Sequence, residues 1–208
     1  MKYELNSIIE SSWNDFKKWY DERCESHIKN VVRNKIMSHE KAVHEPWVCW
    51  SEKDIVTHLS RMVFERTIDL DIHVEFSLKP ENFKNFHRLC ELLWGVRKKV
   101  GRKRITPDMV VCYDTHDEPL LTVIEAKMYR GQYGRNDFQK GIDKDLETLK
   151  GINEVGACHN VYWMVLDDHY WLKKEEISRQ MEKDIETFRK NGIRVMYHKS
   201  TIKKKFLG

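Results

Sequence analysis

Two apolar runs separated by a short turn restrict the folds open to this chain more than any other feature. They are Ile105-Thr-Pro-Asp-Met-Val-Val-Cys-Tyr113 and Pro119-Leu-Leu-Thr-Val-Ile-Glu-Ala-Lys-Met128, joined by Asp114-Thr-His-Asp-Glu-Pro119. β-Branched and apolar residues bounded by Asp, Thr and Pro read as an antiparallel hairpin. Both strands carry charge where a core strand carries none: Asp108 in the first, Glu125 and Lys127 in the second. Strand side chains alternate, so Glu125 and Lys127 share one face with Leu121 and Val123, while Ile124, Ala126 and Met128 take the other. A face apolar at one end and charged at the other is expected of a strand that leaves the core at a pocket.

The remaining pattern supplies cover for this hairpin. Residues 1–46 read as an N-terminal helical extension, with Ile8, Ile9, Trp13, Phe16 and Tyr20 recurring at helical steps. A domain over 47–208 follows. Ser51 is the expected N-cap of a helix running to about Ile68, with Glu52 and Asp54 in its first turn. Residues 71–78 alternate as a half-buried strand, a helix is expected from Glu81 to Val100, and another from Asp137 to Ile152 with Phe138, Ile142, Leu146 and Leu149 on one face. Val161–Leu166 is a buried strand; a helix over 173–190, stopped by Asn191-Gly192, leads to a last strand, 193–197. The fold class is α/β, a mixed central sheet flanked by helices.

The charged strand ends have a specific chemistry. A buried charge must be paired or metal-bound. Asp108 meets Glu125 across the ladder, and two carboxylates so close repel unless a cation sits between them. Mg²⁺, a hard ion that takes oxygen ligands and keeps several waters, resolves the conflict, with Mn²⁺ as a substitute. Lys127 is then placed to orient or deprotonate a water attacking phosphorus. The competing reading is an ordinary salt bridge on a half-exposed hairpin.

Pro107-Asp108, sixteen intervening residues and Glu125-Ala126-Lys127 resemble the signature of the PD-(D/E)XK nuclease superfamily, the restriction-endonuclease-like fold. The resemblance covers roughly residues 47–168, and the element order resembles that family's αβββαβ core, departing from it by a helix and basic loop (81–104) between the first two strands. It implies a metal-dependent endonuclease acting on DNA, with RNA left open. It implies further that Asp108, Glu125 and the Ala126 carbonyl hold the metal and that Lys127 is the catalytic lysine. Members often add an acid from the preceding helix. Glu52 is the choice here, because Ile55, Val56, Leu59 and Val63 fall on its helical face, whereas Glu65 falls on the polar side; Glu75 in the first strand ranks lower. The alternative use of Glu52 is as a first-turn acid.

Arg97, Lys98, Lys99, Arg102, Lys103 and Arg104 crowd into eight residues just before the Asp108 strand, where phosphates approaching a metal would pass. Lys140 and Lys144, one turn apart, are further candidates for phosphate contact, with Gln132 and Gln139 similar. An isolated charge run is more often a solvated loop. The seven tryptophans, Trp47 and Trp50 included, read as packing residues rather than base-stacking ones. His39 and His44 are five apart and miss the spacing that puts two metal ligands on one helical face.

Bulk properties fit this reading without selecting it. Lys and Arg number 37 against 33 Asp and Glu, a formal +4 that mildly favours an anionic partner. The five cysteines form no Cys-x-x-Cys pair, which argues against a disulfide framework or zinc ribbon and for a reducing, cytoplasmic setting. No apolar run is long enough for a bilayer, and Met-Lys-Tyr-Glu-Leu-Asn lacks a signal-peptide core, so no membrane partner is expected. Cutting both strands of a duplex would call for a homodimer. The rival functions are a non-catalytic nucleic-acid-binding or interaction module and an enzyme acting on another phosphate ester.

Overall fold

The computed structural model describes residues 2–34, 48–49, 51–67, 69–113, 119–129, 135–167 and 175–200. Trp47, Trp50, His39, His44, Gln132, the turn 114–118 and the basic tail 203–205 lie outside them. Helix α1 spans Lys2–Arg33, α2 Glu52–Phe64, α3 His87–Val100, α4 Arg135–Val155 and α5 Glu175–Lys190. Strands β1 (Asp71–Val74), β2 (Met109–Cys112), β3 (Leu120–Tyr129), β4 (Cys158–Asp167) and β5 (Arg194–Lys199) form a five-stranded mixed sheet in the order β1-β2-β3-β4-β5. The first three strands pair antiparallel and the last three parallel, the two parallel connections running through α4 and α5.

Alternation along the strands sorts most sheet residues into two cores. Met109, Ile124, Ala126, Met128, Tyr162, Met164 and Leu166 pack under α1 and α2. Val110, Val123, Tyr129, Val161, Trp163 and Val165 pack under α3, α4 and α5. This explains the unbroken apolar run in β4: a central strand covered on both faces has no polar side. The N-terminal helix is one of the covering layers, since Leu5, Ile9, Trp13, Phe16 and Tyr20 join the α2 core. Leu121 departs from the expected face, packing in the α1–α2 core while Val123 keeps to the other.

Local signals act where the sequence placed them. Ser51 has extended backbone (φ −150°, ψ 171°), and its N–H donates to the Asp54 carboxylate at 2.9 Å, closing the first turn of α2. Gly192, at φ +74°, ends α5, with the Ile193 N–H reaching back to the Phe188 carbonyl at 3.1 Å. Several elements are shorter than the pattern predicted: β2 begins at Met109 rather than 105, leaving Asp108 just before it, and α2 ends at Phe64 rather than about 68. The first strand stops at Val74 rather than 78, because Glu75 takes φ +51°, a conformation that bends a non-glycine residue out of the ladder. The expected helix 81–100 divides into a 3-10 turn, Pro80–Phe83, and α3.

Candidate active site

The site arises from a mismatch in strand length. β2 is four residues long and β3 is ten, and their pairing ends at Met109 opposite Ile124. Beyond Ile124, β3 keeps β4 on one side, while its other edge loses the ladder that would satisfy it. Carboxylates take that place. The Ala126 N–H donates to Asp108 Oδ2 at 2.7 Å, and the Met128 N–H to Glu52 Oε1 at 3.4 Å. Pro107, which has no N–H to donate, precedes Asp108, and the Asp108 carbonyl accepts the Glu75 N–H at 2.9 Å. Its side chain is thereby aimed at the β3 edge. A strand residue's N–H and C=O point the same way, so the Ala126 carbonyl faces this edge beside Asp108.

Two carboxylates hold one ammonium here, and the Asp108–Glu125 pair lies beside them. Lys127 Nζ lies 3.2 Å from Glu52 Oε1 and 3.0 Å from Asp145 Oδ2. Glu125 is 8 % exposed and its carboxyl lies against that of Asp108. Burial, then Asp108, then Asp145 push the Glu125 carboxyl well above the ordinary range, against a smaller pull from Lys127. Asp145 is pushed up to about 6, first by burial, with the attraction of Lys127 opposing it. Burial pulls the Lys127 ammonium down, yet Asp145 and Glu52 outweigh burial and leave it raised. Negative charge therefore exceeds positive charge in a poorly solvated place, and the raised Glu125 carboxyl reflects that excess.

The structure brings Asp108, Glu125, Lys127 and Glu52 together and leaves the other acids out. Glu65 is exposed and pairs with Arg61 at 2.9 Å, while Glu75 turns away to Lys53 at 2.8 Å. Asp145 was not anticipated. It sits seven residues after Phe138, three after Ile142 and four before Leu149, in phase with the apolar stripe of α4; a carboxylate in that stripe is the signal that marks it. Lys140 and Lys144 point elsewhere, both exposed, Lys140 lying 3.7 Å from Asp137.

Half of the basic loop is already engaged. Arg97 pairs with Glu81 at 2.8 Å, Lys99 pairs with Glu154, and Arg102 binds Glu147 at 2.7 Å and the Thr148 hydroxyl at 2.9 Å. These three stitch the loop and α3 to their neighbours. Lys98, Lys103 and Arg104 are exposed, Arg104 donating to the Thr106 hydroxyl at 3.1 Å.

The donor types fit a hard divalent cation: two adjacent carboxylates and a backbone carbonyl at one strand edge. Among the described residues no group of three or more His, Cys, Asp or Glu side chains is placed to hold a metal ion. A cavity of about 220 Å³ on the sheet, lined by Asp71, His73, Phe83 and Leu89 among others, includes none of the site residues. Among the described residues no helix is long and apolar enough to cross a membrane, and no disulfide is formed. Comparison with family models, curated proteins and solved structures finds no match for the chain.

Proposed function

We propose that the protein is a metal-dependent endonuclease that hydrolyses DNA phosphodiester bonds, on a fold of the restriction-endonuclease-like type. The observation that carries this reading is the gathering of Asp108, Glu125, Asp145 and Glu52 about Lys127 at the open edge of β3. A folded core gains little from four clustered carboxylates and one amine: burying the Glu125 and Asp145 carboxyls costs several kcal/mol each, in order of magnitude, that one ion pair does not return. A cation accounts for the excess. Asp108, Glu125 and the Ala126 carbonyl are its holders, and Mg²⁺ or Mn²⁺ when bound supplies positive charge to the phosphoryl oxygens as they become more negative.

The chain's own residues supply orientation. Lys127, held from two sides by Glu52 and Asp145, acts as a positive hydrogen-bond donor that positions the attacking water and the phosphate. Glu52 and Asp145 fix the ammonium, so the donor needs little reorganisation during attack. Hydrolysis forms a bond from water oxygen to phosphorus and breaks one P–O ester bond.

The test is a cleavage assay on plasmid, single- and double-stranded DNA and RNA with Mg²⁺, Mn²⁺ or EDTA. Metal-dependent cutting of DNA is expected. Intact DNA and RNA under every metal condition would leave a binding module as the better account.

A further inference from the structure

Trp94 stands apart from the other described tryptophans. Trp13 and Trp163 are buried, whereas Trp94 is 48 % exposed on α3, off the stripe formed by Leu89, Leu93 and Val96. An exposed large aromatic ring is informative when its surroundings give it a use. The Arg97 guanidinium lies 4.7 Å from the ring centroid and is anchored by Glu81 at 2.8 Å, so the ring is backed from one side and held in place. Gly101, at φ +69°, reverses the chain at the end of α3 and brings Arg102 and Lys103 back beside the ring. The resulting groove is lined by Trp94, two glycines and four cations, with no acidic side chain.

We propose that this groove binds a single-stranded stretch of nucleic acid, with an unpaired base stacked on Trp94 and neighbouring phosphates on Lys98 and Lys103. Arg97 and Arg102 carry the architecture, their charges committed to Glu81 and Glu147. Lys98 and Lys103 are exposed and have no ion-pair partner among the described residues, which leaves them to act as mobile point charges on a backbone. The flat ring selects the occupant: every base offers a π face, so stacking tolerates any sequence, but a base inside a duplex already has both faces stacked. An acidic peptide satisfies the cations and leaves the ring without a partner.

The groove is tied to α4, the helix that carries Asp145, by the hydrogen bond of Arg102 to Thr148. It deepens the nuclease reading by naming an unpaired strand as the substrate class, and rests on that reading only for the strand's path toward Asp108.

Anisotropy of a labelled oligothymidylate, its duplex with oligoadenylate, and a labelled polyglutamate, all in EDTA, measures binding without turnover. The single strand is expected to bind most tightly. Trp94→Ala should weaken it about 10-fold and Trp94→Phe much less. Replacing Lys98 and Lys103 together by Ala should reduce the salt slope for the single strand by about 1.4. Equal affinity for strand and duplex, preference for polyglutamate, or full affinity in Trp94→Ala would overturn the proposal. Binding in EDTA without cleavage in Mg²⁺ would sink the nuclease reading and keep the groove. Metal-dependent cleavage with unaltered binding in Trp94→Ala would do the reverse.

Discussion

Asp145 shows how a single side chain sets the electrostatics around it. Its carboxyl is buried, lies 3.0 Å from Lys127 and raises Glu125, so it belongs to the charge balance as fully as the strand residues do. The pH dependence follows in sign. With a folded value of about 6 against a reference of 3.8, Asp145 keeps a proton in the folded state that the unfolded chain has already released. Its contribution to stability is greatest below the lower value and is lost as pH rises toward the upper one. Glu81, lowered first by its own backbone N–H, and Glu154 and Glu186, lowered by Lys99 and Lys190, act in the opposite direction, so the informative quantity is a difference between variants. Thermal melts across this range should show the wild type losing stability relative to Asp145→Asn as pH rises. Parallel curves would mean that Asp145 is not titrating in this window. The sequence disclosed Asp108, Glu125 and Lys127 because charges interrupt a strand visibly. Asp145 was hidden among the many charges of a helix, where only its phase distinguishes it.

At the scale of elements, the length mismatch of β2 and β3 creates the site, and the basic loop gives α3 its hold on α4. Glu52 could be chosen from helical phase because α2 has a clean apolar face, and the structure places its carboxylate at Lys127. The basic loop was harder to read, since whether an arginine is committed depends on an acid many residues away, as Arg102 depends on Glu147 and Thr148. The two kinds of cation separate by measurement. Arg102→Ala removes a hydrogen bond to a buried hydroxyl and a charged contact, and should cost about 1–2 kcal/mol in urea denaturation. Lys103→Ala is expected to stay within about 0.5 kcal/mol of wild type. Equal effects of the two substitutions would argue against the stitching role. The early end of β1 at Glu75 was not legible, because residues 71–78 alternate without interruption and only the backbone at φ +51° breaks the strand.

At the scale of the molecule, the sheet is sandwiched between two helical layers, and α1 belongs to one of them. The aromatic spacing identified that segment as helical, but amphipathicity alone does not say what a helix packs against. Leu5, Ile9, Trp13, Phe16 and Tyr20 are each at most 4 % exposed. Full burial of such side chains stabilises by about 1.5–3 kcal/mol each, a sum comparable to the roughly 5–15 kcal/mol net stability of a whole domain. A chain without residues 2–33 is therefore expected to lose cooperative unfolding by circular dichroism. A cooperative melt near that of the full chain would show the helix to be an appendage.

The central claim, that the carboxylates at the β3 edge serve phosphodiester hydrolysis, is met most directly by Asp108→Asn. The amide oxygen can still accept the Ala126 N–H, so the fold is kept while the charge that holds a cation is removed. In single-turnover cleavage of a labelled DNA strand with Mg²⁺, the account predicts a rate lower by about 10²-fold or more with thermal stability unchanged or higher. Cleavage at the wild-type rate in Asp108→Asn would contradict it.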